Sequence, residues 1–222
     1  MEYQGPEPAD LANVCALNIR YLDWLRARGN AGTAEASMTP EIGAALAGLS
    51  RQQLERLSRV PFLLMSFREY DERHWRSLFA ASPATDLFDA IQVPDEDATR
   101  LISAGLGFLW QLSKRNPYAA RLVSGASLYW CEQLAACTLV ELFSRVVMDC
   151  RLLEPTLVDN RDLWQKLLKS GVSARKDVRM AARVSALQAV LTRSATGSYR
   201  QLAAAACSMP AVAVRVSNRD SG

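Results

Sequence analysis

Only one histidine occurs in the chain of 222 residues, His74, and it sits in the charged stretch EYDERHWRSLF. With no second imidazole there is no two-histidine metal site, and any serine or cysteine nucleophile would have to share this one base. The charges around His74 make a solvated helix residue the expectation. Asp95, Glu96 and Asp97 stand where a helix begins, and carboxylates there stabilise the positive end of the helix dipole without catalysis. The phosphate-cradling glycine patterns G-x-x-x-x-G-K-[ST] and G-x-G-x-x-G and the zinc motif H-E-x-x-H are absent. These residues point away from an enzyme, and no cofactor, metal or small-molecule ligand is expected.

The five cysteines, Cys15, Cys131, Cys137, Cys150 and Cys207, are odd in number and form no C-x-x-C pair. Reduced thiols in a cytoplasm suit that pattern better than a disulfide framework or a zinc ribbon. MEYQGPEPADLANV has no basic segment leading into an apolar one, and no window offers 18 uncharged apolar residues, so neither export nor a membrane span is expected.

Charge supplies the positive clue. Residues 161–222 carry eleven Lys and Arg against three acids, a net of +8, while the preceding 160 residues sum to −5, so the overall +3 conceals a strong polarity. Such a basic region suits an anionic partner, because each phosphate neutralised by Lys or Arg releases counterions. Arg175, Lys176, Arg179 and Arg183 fall on one helix, with 175, 179 and 183 four apart, so their like charges repel unless something anionic covers them. Arg193 and Arg200 continue the series. The alternative is a solvated basic face that docks on the acidic first half of the same molecule.

The elements that must position these residues are helical. Hydrophobic residues make up 50% of the chain, enough for a core, and the recurring period is that of a helix, which predicts an all-α bundle of about ten helices. Leu11, Val14, Tyr21, Leu22 and Leu25 form one stripe over 10–28, ended by Gly29. Thr39 and Pro40 open a short helix, and Ser50 with Gln53 has capping-box spacing for the next, which stops at Pro61. FLLMSF, 62–67, fits a buried strand or a helix equally. Helices are expected at DERHWRSLFAAS and PDEDATRLISAGLGFLWQLSK, with a loop over SPATDLFDAIQVP between them. The stretch 127–153 is the longest apolar run and predicts a single central core helix. Asn160 and Ser173 would cap the last two helices, NRDLWQKLLKSG and SARKDVRMAARVSALQAVLTRS. The loop 82–94 is the natural boundary between regions 1–92 and 93–222, although one continuous helical core fits as well.

LNIRYLDWLRARG, 17–29, followed by MTPEIGAALAGLSRQQLERLSRVPFLLMSFR, 38–68, resembles the flagellar transcriptional activator FlhD family. The likeness rests on Asn18, Tyr21, Leu22, Glu41, Ala45, Leu46, Leu49, Ser50, Gln53, Leu57, Leu64, Phe67 and Arg68, and covers about the first third of the chain. It implies an all-α subunit that dimerises, joins another regulator and helps place it on promoter DNA. Met65 stands where that family often has a cysteine near its dimer seam, so no covalent dimer is implied, and the 150 residues that follow exceed the family's own tail.

SYRQLAAAACSMPAVAVRVSN, 198–218, would form a helix capped by Ser198, a break at 207–209 and a second helix with Pro210 in its first turn, the order of a helix-turn-helix. It resembles that motif in LacI-type repressors at Leu202, Ala203, Ala206, Pro210, Ala211, Arg215, Val216 and Asn218. The likeness implies that Ala211 and Val212 approach base edges and that Arg215 reaches the DNA, with Asn218 at the motif's closing position. Cys207, Ser208 and Met209 depart from it where a glycine, a buried residue and a Ser/Thr cap are usual. The same stretch also fits an alanine-rich tail. The combined expectation is a cytoplasmic, DNA-binding transcriptional regulator that acts as an oligomer or with a protein partner. The alternative is a helical adaptor or chaperone-like scaffold that binds protein and not DNA.

Overall fold

The computed structural model describes residues 5–30, 38–80, 95–146 and 152–207, the last of these by its backbone alone beyond Arg193. Ten α-helices and one short two-stranded ribbon are present among them, so the chain is all-α. α1 (Pro8–Asn30) buries Val14, Tyr21, Leu22 and Leu25 of the stripe that the periodicity predicts, together with Asn18, whereas Leu11 of that stripe is 39% exposed. It runs antiparallel to α5 (Glu96–Arg115), and each end of the pair is tied by charge. At one end Asp10, on the first turn of α1, accepts from Arg115 on the last turn of α5 at 2.5 and 2.6 Å. Each of these residues complements its own helix dipole. At the other end Asp95 caps α5 by accepting from the Ala98 amide, and also takes Trp24 Nε1 at 3.2 Å and Arg28 at 3.1 Å.

α2 (Pro40–Ala47) and α3 (Arg51–Ser58) pack on α1. The Ser50–Gln53 capping box forms with both reciprocal bonds in place. FLLMSF becomes a wholly buried extended segment, whose Met65–Ser66 (β1) pairs antiparallel with Glu154–Pro155 (β2). Asn18 holds that segment to α1. Its side-chain amide donates to Ser58 O at 3.2 Å and Phe62 O at 2.9 Å, and its Oδ1 accepts from the Leu64 amide at 2.8 Å. After β1 the chain turns sharply at Arg68, whose φ is 52°, and α4 (Glu72–Ala80) follows. His74 on this helix is half-buried, edge-on to the Trp75 ring at 6.3 Å, and not the solvated residue that its charged neighbours suggest.

The middle of the bundle is α5, with α1, α6 (Pro117–Ser124) and α7 (Leu128–Ala136) against it. The single helix expected over 127–153 is broken. Cys137 is extended with ψ 154°, and α8 (Leu139–Val146) starts afresh beyond it. The cause is local: Thr138 and Glu141 form a second reciprocal box, Thr138 N donating to Glu141 Oε2 and Glu141 N to Thr138 Oγ1. Trp130, Cys131, Leu134 and Leu142 are buried as a core stretch requires, but Val140 is 61% exposed, so the core part lies mainly in α7 and not in one continuous helix. α9 (Arg161–Lys166), capped by Asn160 as expected, widens into a π-helical turn over 167–171. α10 (Lys176–Cys207) begins at Lys176 rather than behind a Ser173 cap, because the Ser173 hydroxyl accepts from the Arg175 amide in the preceding turn.

α10 docks through the small stripe Ala182, Ala186 and Val190. Val190 meets Gly125, the left-handed C-cap of α6 at φ 74°, where an added Cβ would lie 2.4 Å from Val190 Cγ1. Gly125→Ala therefore combines backbone strain with a clash and is expected to cost about 2 kcal/mol. Urea denaturation measures this, and a loss below about 0.5 kcal/mol would refute the contact. Buried residues from both sides of the segment 81–94 join one apolar cluster that runs from Val14 to Val190. The sequence-based boundary itself lies in that segment, outside the described residues. Among the described residues Cys15, Cys131 and Cys137 are free thiols, and burial pushes Cys131 up to about 12. No helix among the described residues is long and apolar enough to cross a membrane.

Candidate nucleic-acid interface

α3 is amphipathic and turns Leu54, Leu57 and Ser58 inward, which leaves Arg56 half-buried at its last turn and Arg59 exposed just beyond. α10 packs close to this end of α3. Arg183 donates from Nη2 to the Arg56 carbonyl at 2.9 Å, across 127 residues of sequence, and so satisfies a terminal carbonyl of α3. Arg56 in turn donates to Val172 O at 3.3 Å, and Arg179 donates to Ser173 O at 2.8 Å and Ala174 O at 2.6 Å. Three guanidinium groups from two distant parts of the chain, those of Arg56, Arg179 and Arg183, are thus held by backbone oxygens, and Arg59 lies near enough for its charge to act on Arg183.

Electrostatics show that the grouping is not neutralised. Burial first, then the positive charges of Arg179 and Arg59, lower Arg183 below the usual arginine value. Its Nε is buried without a hydrogen-bond partner, and among the described residues none of the four arginines forms an ion pair with a carboxylate. The first turn of α10 lies beside them, and the positive end of its dipole adds to the same field. An anion with several oxygens, such as a run of phosphates, would relieve the repulsion.

The residues singled out by sequence divide accordingly. Arg179 and Arg183 enter the cluster, with exposed Lys176 beside them on the first turn of α10. Arg175 is engaged by Asp177, whose carboxyl is held below the usual range by that hydrogen bond. Arg193 lies about 15 Å further along the helix, over the Tyr70 ring at 4.1 Å and 3.8 Å from Asp159. Arg161, another basic residue of this region, pairs with Glu41. The backbone of Arg200 belongs to α10, its side chain lying outside the described residues. Ala211, Val212, Arg215 and Asn218, and with them the second half of the helix-turn-helix pattern, are outside the described residues altogether. Arg56 and Arg59 were missed by the sequence reading, since each sits in the net-acidic part of the chain. The signal for them was their spacing: Arg56 and the C-cap Arg59 lie off the inner face that Leu54 and Leu57 form. Comparison of the chain with family models, with curated proteins and with solved structures returns no match.

Proposed function

We propose that this protein binds the phosphate backbone of nucleic acid through Arg56, Arg59, Arg179 and Arg183, and works as a DNA-binding transcriptional regulator, oligomeric or with a partner subunit. The observation that carries this reading is the gathering of Arg59, Arg179 and Arg183 beside the end of α3 with no carboxylate paired to them among the described residues, where burial first and then the charges of Arg179 and Arg59 lower Arg183. Four like charges without counter-charges destabilise an isolated fold, and a polyanion turns that cost into affinity. The FlhD-like front of the chain and the net +8 of residues 161–222 point in the same direction.

Fluorescence anisotropy with a random-sequence duplex across a salt series tests it. Four phosphate contacts predict a logarithmic slope of about −3.6, at about −0.9 for each contact. Absence of binding at low salt would overturn the reading. A second reading, a helical scaffold for a protein partner, is favoured by Met180 and Val184, which stand one turn apart on α10 and are 48% and 60% exposed. It is chosen if the duplex is not bound and a single protein is retained in stoichiometric amount from nuclease-treated extract.

A further inference from the structure

A cavity of about 280 Å³ opens between α4 and α7, away from the arginine cluster. Trp75 and Trp130 form its floor, with rings at 5.1 Å and nearly perpendicular, and Phe79 leans on Trp75 at 5.3 Å. Tyr129, 56% exposed, stands at the rim. Trp75 and Trp130 are 2% and 3% exposed, so the cavity meets a small part of each ring and the broader aromatic surface of Tyr129 at its rim.

A carboxylate completes the lining. Glu69 is only 9% exposed, and the bonds it accepts from the Ser66 hydroxyl and the Phe67 amide, both at 2.9 Å, fall on Oε2. Among the described residues no lysine or arginine lies within ion-pair distance of it, and burial raises it above the usual carboxylate range, offset in part by the bonds from Ser66 and Phe67 and by the more distant charge of Arg193. A buried carboxylate without a cationic partner is costly. Here it borders open space instead of packed protein. Arg76, the cation of the lining, is 74% exposed and turned to Glu72 at 3.8 Å.

We infer that this cavity is a binding site for a small organic ammonium ion, which the rings of Trp75, Trp130, Phe79 and Tyr129 enclose and the Glu69 carboxylate neutralises. A lining of four aromatic side chains suits an ammonium whose charge is spread over methyl groups, because such an ion loses little hydration on entry. A metal ion would find two carboxylates, Glu69 and Glu72, the second already turned to Arg76, and no group of three or more His, Cys, Asp or Glu is gathered among the described residues. A neutral apolar molecule would leave Glu69 uncompensated.

Isothermal titration of the full-length protein with choline tests the inference, with 3,3-dimethylbutan-1-ol as the neutral molecule of the same shape. Saturable choline binding with a Kd of about 1 mM is expected, and none for the neutral analogue in the same range. Tyr129→Ala, at an exposed position, and Glu69→Gln, which keeps an acceptor for Ser66 and Phe67, should each weaken choline at least about fivefold. Far-UV circular dichroism checks that both variants are folded. Failure of choline to saturate, equal binding of the neutral analogue, or undiminished choline binding by the folded variants would each overturn the site.

Discussion

Reversing two charges, Arg59→Glu together with Arg179→Glu, is expected to raise the Kd for a random duplex at least about thirtyfold at low salt and to flatten the salt slope by about two units. Both side chains reach the surface, and what Arg179 loses is its pair of bonds to the carbonyls of Ser173 and Ala174, in the turn just ahead of α10. The helical circular-dichroism signal should therefore survive. Arg183 should also rise part of the way toward the ordinary arginine value, because burial, the larger cause of its depression, remains while the charges of Arg179 and Arg59 are gone. Arg100→Glu is the control. Arg100 is an exposed arginine of α5 already paired with Glu96 and Asp97, so its reversal changes net charge equally per site without touching the cluster. If Arg100→Glu weakens binding as much as either cluster reversal alone, attraction is diffuse and the proposed face is wrong. Unchanged affinity in the double variant leads to the same conclusion.

Asn18→Leu is expected to destabilise the fold by about 3–5 kcal/mol, the largest effect of any single replacement considered for this chain. Asn18 is fully buried and makes three hydrogen bonds, to Ser58 O, Phe62 O and Leu64 N. Leucine has nearly the same size, so cavity formation contributes little. The cost comes from two carbonyls and an amide left unpaired in an apolar interior. Urea denaturation followed by tryptophan fluorescence measures it, and a loss under about 1 kcal/mol would show that the 58–64 segment finds other partners. The expected loss also accounts for an asparagine in an otherwise apolar stripe: it satisfies an extended segment that has only a two-residue strand partner.

Much of the local structure was legible in the sequence because its causes lie within four residues. Ser50 with Gln53 and Asn160 with Leu163 each close a helix start between near neighbours at the caps the sequence predicts, and Asp95, expected only among the carboxylates at a helix start, accepts from the Ala98 amide. The misreading over 127–153 belongs to the same class. Thr138 and Glu141 carry the spacing of a cap, but the apolar run around them drew attention to periodicity alone. FLLMSF was undecidable for a different reason: a wholly apolar run has no period, and only the partner strand at 154–155 selects an extended backbone.

The sequence by itself determined the all-α class, most helix starts and the polarity of charge, since composition and short-range spacing specify these whatever the packing. Tertiary structure alone decided which charges meet. Arg183 lies 127 residues from the carbonyl it caps, and Arg56 and Arg59 come from a part of the chain that is acidic on average. The same holds for Glu69, Trp75 and Trp130, which surround one cavity although no spacing links them. Pattern reading sees one helix face at a time, whereas a binding site is made by the faces that several helices turn toward each other. That choice is set by how Ala182, Ala186 and Val190 allow α10 to close on the bundle.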